Sequence, residues 1–288
     1  MRITNRMLQQ NLTSGIHGRT AALARAARQV TTGRKLNTVS DNPVDASQVM
    51  RVDSQLRDIE QYRRNGTFAT TKLSTEDVAL SSLIGVLQQA KKAAMASTSP
   101  DPTDPGRQAT AASVAQMREQ AIALGNTRVG DEYIFGGDRS TTQPFLANGT
   151  YVGDAGTRRV SINDGVTVAV NHSGQPLFTD ALAALDNLRV QLQTGTPAQI
   201  QSAIDDLEDA TQLALRNQAE TGARLQDIKD TGTRLASLAV SLADRRDGIV
   251  GIDPAEAIVQ MQQEQTALER AYAVVGRVMQ TSLTEYLR

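Results

Sequence analysis

The feature that most constrains the fold of this chain is a pair of apolar stripes, one at each end. Near the C-terminus the spacings are seven, four, three, four, four and three residues, which keeps the side chains on one side of a helix. This C-terminal stripe consists of Met261, Leu268, Tyr272, Val275, Met279, Leu283 and Tyr286. The N-terminal stripe consists of Leu8, Leu12, Ile16, Leu23, Ala27 and Val30. Stripes this narrow are typical of coiled-coil seams, so we expect the two terminal helices to pair.

Two helix starts are also marked in the sequence. Asp253 is a suitable cap, Pro254 suits the first helical position, and Glu256 follows in the first turn. The same order recurs at Asn42-Pro43, with Asp45 in the first turn. We therefore predict that one helix begins at residue 254 and another at residue 43.

Composition indicates thin helix-to-helix seams rather than one thick core. Aromatic residues make up 3% of the 288 residues and tryptophan is absent, so few side chains are large enough to fill a broad interior. The net charge is -1, which argues against nucleic-acid binding because that needs a concentrated basic face. The first 45 residues are locally basic, and we interpret this as a solvated helix face.

Export and membrane features are sparse. Cysteine is absent, which excludes a disulfide framework and thiolate metal sites. The N-terminal residues lack the apolar core of a secretory signal, and no window has the roughly 18 apolar residues of a membrane span. We expect no cleavable signal peptide and no insertion into a membrane.

Between the stripes the pattern changes from helical to β and back. Helical spacing covers residues 4–35, 44–97 and 108–127. Asn65-Gly66 and the run at 74–77 could each break a helix, so the sequence leaves open whether 43–97 forms one helix or two. Alternating residues then flank Asn163-Asp164-Gly165, which predicts a β-hairpin. Residues 179–193 and 198–244 are helical again. The predicted fold is mainly α, an elongated helical bundle or coiled coil built from N- and C-terminal arms, with a small β-rich inserted domain at the distal tip.

The usual catalytic and metal-binding patterns are missing. His17 and His172 have no ligand-type residues at suitable spacing, and the acidic cluster at 205–209 lacks the loop of a calcium site. Gly136-Gly137 is not part of a phosphate-binding motif, and we interpret it as a turn. We therefore expect no catalytic residues, no cofactor and no metal.

Several short motifs, in this order along the chain, resemble those of the flagellin family. They lie at the opening, at the bend after the first helix, at the entry to the β region, in the return arm and at the end of the chain. They are Met1-Arg2-Ile3-Thr4-Asn5, Thr32-Gly33-Arg34-Lys35-Leu36-Asn37, Ser40-Asp41-Asn42-Pro43, Tyr133-Ile134-Phe135-Gly136-Gly137, Gly222-Ala223-Arg224-Leu225 and Gln280-Thr281-Ser282-Leu283-Thr284-Glu285-Tyr286-Leu287.

The resemblance implies a structural subunit of the extracellular bacterial flagellum, which forms the junction between hook and filament and templates flagellin polymerisation. It also implies a homo-oligomer with hook-associated protein 1 and flagellin as neighbours. Export would use a flagellar chaperone and the type III export apparatus. Filament flagellin is the alternative function, and an intracellular coiled-coil scaffold is a third.

Five segments follow from this interpretation. They are an N-terminal assembly helix (1–42), the outgoing arm of a helical rod (43–129), a small β insertion (130–178), the return arm (179–252) and a C-terminal assembly helix (253–288). Two paired helices leave apolar surface uncovered on their other sides. We therefore expect both stripes to form an assembly interface that orders fully when neighbouring subunits cover it.

Overall fold

The computed structural model describes the backbone of residues 2–97 and 99–286, and the side chains of residues 7, 10–97 and 99–277. These residues form six helices and four short strands, which confirms the mainly α fold. The helices are α1 (Arg2–Thr32), α2 (Pro43–Met95), α3 (Pro105–Gly125), α4 (Leu177–Thr194), α5 (Pro197–Val250) and α6 (Pro254–Tyr286). The strands are β1 (Arg128–Val129), β2 (Glu132–Tyr133), β3 (Arg159–Asn163) and β4 (Val166–Ala169).

The helix starts predicted at residues 43 and 254 are both confirmed. Oδ1 of Asn42 accepts a hydrogen bond from the backbone N–H of Val44 at 3.1 Å, and Oδ1 of Asp253 accepts one from Ala255 at 2.8 Å. The end of α1 comes slightly before the predicted limit near residue 35. Gly33 takes a φ of 66°, a left-handed conformation that ends an α-helix.

A single helix, α2, spans the stretch for which one or two helices were possible. Asn65 and Gly66 lie inside it, and both face neighbouring elements. Nδ2 of Asn65 donates to the carbonyl of Ser161 at 2.7 Å, while a Cβ on Gly66 would lie 3.5 Å from the side chain of Ile228. Tertiary contacts therefore outweigh the local preference of Asn-Gly for a turn.

The predicted β-hairpin is confirmed as β3 and β4, which pair antiparallel with Val160 opposite Val168. Gly165 has a φ of 66° in the turn between them, as such a turn requires. The inner face of the hairpin is buried against α2 and α5. The small apolar core beneath the hairpin consists of Ile162, Val168 and Val170 with Ala69, Leu73 and Ile228.

The main core joins α2, α3, α4 and α5 with three aromatic rings. Phe135 meets Phe178 edge to face with 4.6 Å between ring centroids, and Phe145 lies 5.6 Å from Phe178. A Cβ on Gly125 would come within 2.7 Å of the Phe145 ring, so only glycine fits there. Phe135 and Phe145 belong to the predicted β insertion, so its aromatic residues share the core of the helices.

A fully buried arginine closes one end of this core. The guanidinium of Arg107 donates to the carbonyls of Ser99 (3.1 Å), Gln191 (2.7 Å), Leu192 (2.8 Å) and Gly195 (2.6 Å). Three of these carbonyls are at the C-terminal end of α4, where a cation also offsets the helix dipole. The residue thus links α3 to the end of α4.

The chain divides into two compact units. Unit 1 is Met1–Arg57 with Leu238–Arg288, and unit 2 is Asp58–Ser237. Both boundaries lie inside helices α2 and α5 rather than at the connections near residues 42 and 252. The five functional segments proposed from the sequence stay predictions.

Candidate assembly interface

The terminal helices α1 and α6 pack against each other within unit 1 and run antiparallel. Nη1 of Arg19 lies 3.2 Å from Oε2 of Glu264 across the pair. Further toward the chain ends, both helices line a shallow groove of about 310 Å³. Its apolar lining includes Leu12, Ile16 and Val275. The pairing predicted from the two stripes is therefore present in the structure.

Most described residues of the two predicted stripes are half-buried between the helices or beside them. They are Leu12, Ile16, Leu23, Ala27, Val30, Met261, Leu268 and Val275. The side chains of Leu8, Met279, Leu283 and Tyr286 lie outside the described residues. The role of all these residues in assembly stays a prediction.

Tyr272 departs from the predicted stripe, because 54% of its surface is exposed. The neighbouring Ala271 is half-buried instead. Six covered positions of α6 alternate by four and three residues, namely Ala257, Met261, Glu264, Leu268, Ala271 and Val275, and Ala267 beside Leu268 is half-buried as well. The burial of Ala257, Glu264 and Ala271 was not predicted, because small and charged residues do not stand out in an apolar pattern. The heptad spacing was the signal in the sequence that could have identified these positions.

A short backbone contact fixes the end of the pair that lies away from the chain termini. Arg34 and Gly251 form an isolated antiparallel bridge. The N–H of Lys35 donates to the carbonyl of Val250 at 2.8 Å. Nε of Arg246 lies 2.7 Å from Oδ1 of Asp53, so α2 and α5 are also linked within unit 1.

Unit 1 buries little apolar surface compared with what it exposes. The buried apolar side chains among its described residues are Ala26, Ala46, Val52, Val250 and Ala257. Ten large apolar side chains there keep at least 43% of their surface exposed. These are Met7, Val39, Val44, Met50, Leu238, Val240, Ile258, Val259, Tyr272 and Val274. Among its described residues, unit 1 therefore exposes more large apolar side chains than it buries.

The two histidines have different surroundings. His17 is exposed. Nδ1 of His172 contacts the fully buried Glu76, and its Nε2 lies 3.4 Å from Oε2 of Glu220, so the ring connects α2 with α5 inside unit 2. Within the described residues, no group of three His, Cys, Asp or Glu side chains is arranged to hold a metal ion.

The other polar motifs also have structural roles. In the acidic cluster, Oδ2 of Asp206 accepts from Asn187 at 2.8 Å, and Glu208 pairs with Lys91 at 2.5 Å. Gly137 lies in a turn with a φ of 69°, packed against Asp154. Among the described helices, none is long and apolar enough to cross a membrane.

Comparison with known proteins agrees with this geometry. Residues 3–140 match the model of the bacterial flagellin N-terminal helical region. Flagellar hook-associated protein 3 of Escherichia coli is 26% identical over 94% of this chain and 95% of its own length. The protein of the same name from Salmonella typhimurium is 25% identical over the full length of both chains.

A solved structure shares the fold. The crystal structure of Bacillus cereus FlgL superimposes with a TM-score of 0.62 and 21% identity, over 68% of this chain and 99% of that one. The resemblance to the flagellin family, and within it to hook-associated protein 3, is confirmed by these matches.

Proposed function

We propose, from the confirmed resemblance to the flagellin family, that this chain is a structural subunit of the bacterial flagellum at the junction between hook and filament. In this proposal the paired helices α1 and α6 are its assembly interface. Together with neighbouring copies they give flagellin a surface on which to polymerise. Similarity along the whole length to two hook-associated proteins supports this assignment.

The observation that carries the proposal is the imbalance between covered and uncovered apolar surface in unit 1. Its five buried apolar side chains include three alanines, whereas ten large apolar side chains are exposed. Fully burying one such side chain stabilises an assembly by about 1.5–3 kcal/mol before ordering entropy is subtracted. The interface is therefore weakly stabilised in one copy and strongly stabilised when neighbours cover it.

The same proposal includes partners and location. The subunit forms a homo-oligomer, contacts hook-associated protein 1 on the hook side and flagellin on the filament side, and works outside the cell. It reaches that place through the flagellar type III export apparatus with the help of an export chaperone. The flagellar names of its relatives support this location.

Filament flagellin is the second candidate, because residues 3–140 match the flagellin N-terminal region. The end-to-end match to hook-associated protein 3 favours the junction. An intracellular coiled-coil scaffold would be a stable soluble dimer, and it would account for α1 and α6 but not for the shared core around Phe135 and Phe145.

Deletion of the gene tests the proposal. For a junction subunit, hooks form, flagellin is made and exported, and the flagellin accumulates in the medium as monomer. Re-expression of the chain from a plasmid is the control and restores filaments. Normal filaments in the deletion strain would refute the junction role, and loss of the bulk filament protein itself would identify the chain as filament flagellin.

A further inference from the structure

A cluster of cations lies on unit 1, away from the apolar groove between α1 and α6. Arg25 and Arg28 on α1 and Lys35 on the following turn line a depression of about 420 Å³, together with the hydroxyl residues Thr38 and Ser40. We call these five residues the cationic cradle. All five are exposed, and none of the three cations forms an ion pair with a carboxylate among the described residues.

The turn that forms one wall of the cradle is held in place by its own hydrogen bonds. Oδ2 of Asp41 accepts from the N–H groups of Asn37 (3.0 Å) and Thr38 (2.8 Å). Nε2 of Gln29 donates to the carbonyl of Lys35 at 3.0 Å. The two N–H bonds, with a smaller contribution from Arg28, lower the pKa of Asp41, so this carboxylate stays charged and stays engaged with the turn. The cradle is thus preorganised, and its one nearby carboxylate is already in use.

Arg25, Arg28 and Lys35 place three positive charges around the depression and Asp41 places one negative charge there, so the cradle keeps a net positive charge that an acidic partner surface would offset. A flexible surface would let the side chains spread apart, but a fixed turn holds their attachment points together. The arrangement is therefore stabilised when a carboxylate-bearing surface occupies the cradle.

An acidic surface of the matching kind lies on the other arm of the same unit. It includes Asp244, Asp247, Asp253 and Glu256, all exposed, at the connection between α5 and α6. We call these four residues the acidic turn. Asp247 lies 3.7 Å from Arg246, but that guanidinium is closer to Asp53, at 2.7 Å. Asp253 already accepts a hydrogen bond from Ala255 as the cap of α6, so Asp244 and Glu256 are the carboxylates of the acidic turn that remain available for another partner.

The cradle and the acidic turn lie at the same end of the α1 and α6 pair, because Arg34 bridges Gly251 there. No ion pair joins the two sets among the described residues, so one chain does not satisfy its own charges. In a ring of copies related by rotation, contacts are head to tail, and one side of each copy faces the opposite side of the next. Such a head-to-tail contact joins two different surfaces, and the cradle and the acidic turn are two different surfaces of opposite charge.

We propose that the cationic cradle of one copy binds the acidic turn of the neighbouring copy in the assembled homo-oligomer. This inference rests on the proposed function, since the homo-oligomer supplies the neighbouring copy. The contact fixes the lateral register of the copies, because opposite charges facing each other select the correct partner surface and like charges reject a shifted one.

Cross-linking between single-cysteine variants tests the contact directly. The natural chain has no cysteine, so every thiol is introduced. One variant carries Arg28→Cys and the other carries Asp244→Cys, and the two are produced together in a strain that lacks the natural gene. Flagella are isolated and treated with a short bismaleimide. Each chain has one thiol, so any covalent dimer joins two different copies.

We expect a dimer when both variants are present and at least about tenfold less with either one alone. Arg51→Cys replaces Arg28→Cys in the matched control, because Arg51 is also an exposed, unpaired arginine of unit 1, and it should give no dimer above background. Equal cross-linking in the control would overturn the inference. So would as much dimer from either variant alone as from the two variants together.

Charge reversal gives an independent readout. Arg28→Glu and Asp244→Lys should each reduce the number of filaments per cell about tenfold, and the double variant should restore it, since every copy then presents the reversed pair. Arg57→Glu, an exposed arginine of the same unit, should leave filaments unchanged. Asp244→Lys should unfold at the temperature of the natural monomer, because Asp244 has no ion-pair partner among the described residues. Arg28→Glu should unfold at a slightly lower temperature, because Arg28 favours the charged form of Asp41.

The outcomes separate this inference from the proposed function. If the chain is absent from isolated flagella, the proposed function fails. If the chain is present and filaments grow, but no dimer forms and the charge reversals are harmless, the function stands and this contact is wrong. Tight binding of inorganic phosphate to the monomer without any cross-link would identify the cradle as an anion site and would also overturn the contact.

Discussion

Single residues in unit 2 show how buried charges are neutralised by specific partners. The buried Lys72 on α2 contacts Oε2 of Glu132 on β2, and Nη1 of Arg158 lies 3.0 Å from the other oxygen of the same carboxylate. The hydrogen bond from Lys72, and then that from Arg158, holds the pKa of Glu132 below its ordinary value of 4.5. This carboxylate therefore connects α2 to both parts of the β region.

The lowered pKa predicts how this site responds to acid. A carboxyl whose folded pKa is depressed contributes stability above its unfolded pKa, and the contribution disappears as pH falls through the folded value. Glu132→Gln should therefore lower the free energy of unfolding at pH 7, and the difference from the natural protein should shrink below pH 4.5. Urea denaturation between pH 7 and pH 3 measures it. Asp131→Asn, at a neighbouring exposed carboxylate, is the control, and a difference independent of pH would contradict this account.

Sequence patterns predict little at this scale, because partners distant in the chain decide the role of a polar residue. Arg107 is one of many arginines in the sequence, yet its guanidinium is fully buried against four carbonyls. The link that His172 makes between Glu76 and Glu220 is likewise not visible from spacing. Hydrogen-bond geometry between remote segments carries this information.

At the scale of elements, α6 shows both the strength and the limit of an apolar pattern. Its start at Pro254 and its pairing with α1 follow from the sequence. The stripe nevertheless included Tyr272, whereas Ala271 is the covered residue. A large apolar residue attracts attention in a pattern, but packing at a narrow seam favours small side chains that let helices approach.

Tyr272 is now the residue of α6 with which to separate assembly from folding. Because 54% of its surface is exposed in the single chain, Tyr272→Ala should change monomer stability by no more than about 0.5 kcal/mol. We expect the same variant to reduce filament formation strongly, because neighbouring copies would cover the aromatic side chain of Tyr272 after assembly. Thermal unfolding and filament counts give the two measurements.

A matched variant is available in unit 2. Leu215→Ala removes an apolar side chain that is 39% exposed on α5, and it should leave both stability and filament number nearly unchanged. Equal loss of filaments from the two variants would mean that Tyr272 has no special place in the interface.

At the scale of the whole molecule, the two units differ in how much apolar surface each one buries. The main core and the core beneath the hairpin both lie in unit 2. Amide hydrogen exchange on the monomer should therefore show strong protection in the unit 2 helices and much weaker protection in residues 12–30 and 261–275. Both regions are helical, so helix content does not account for the difference. Equal protection would refute the view that α1 and α6 are stabilised by assembly.

The sequence predicted the order of helices and strands well, because periodicity and capping residues are local. It did not show that Phe135 and Phe145 enter the core of α2 to α5, since the contacts that bury them join segments far apart in the chain. It also left α2 undecided at Asn65-Gly66, where contacts with Ser161 and Ile228 maintain the helix.

The bridge between Arg34 and Gly251 also determines the order in which the terminal helices can pair. Residues 34 and 251 are distant in sequence, and bringing them together closes a long loop at an entropic cost. Once the bridge has formed, each further turn of α1 meets α6 at almost no additional loop cost, so we expect pairing to proceed from residue 34 toward the N-terminus. The same order holds in reverse when the pair opens, and the contacts nearest the bridge are the last to separate.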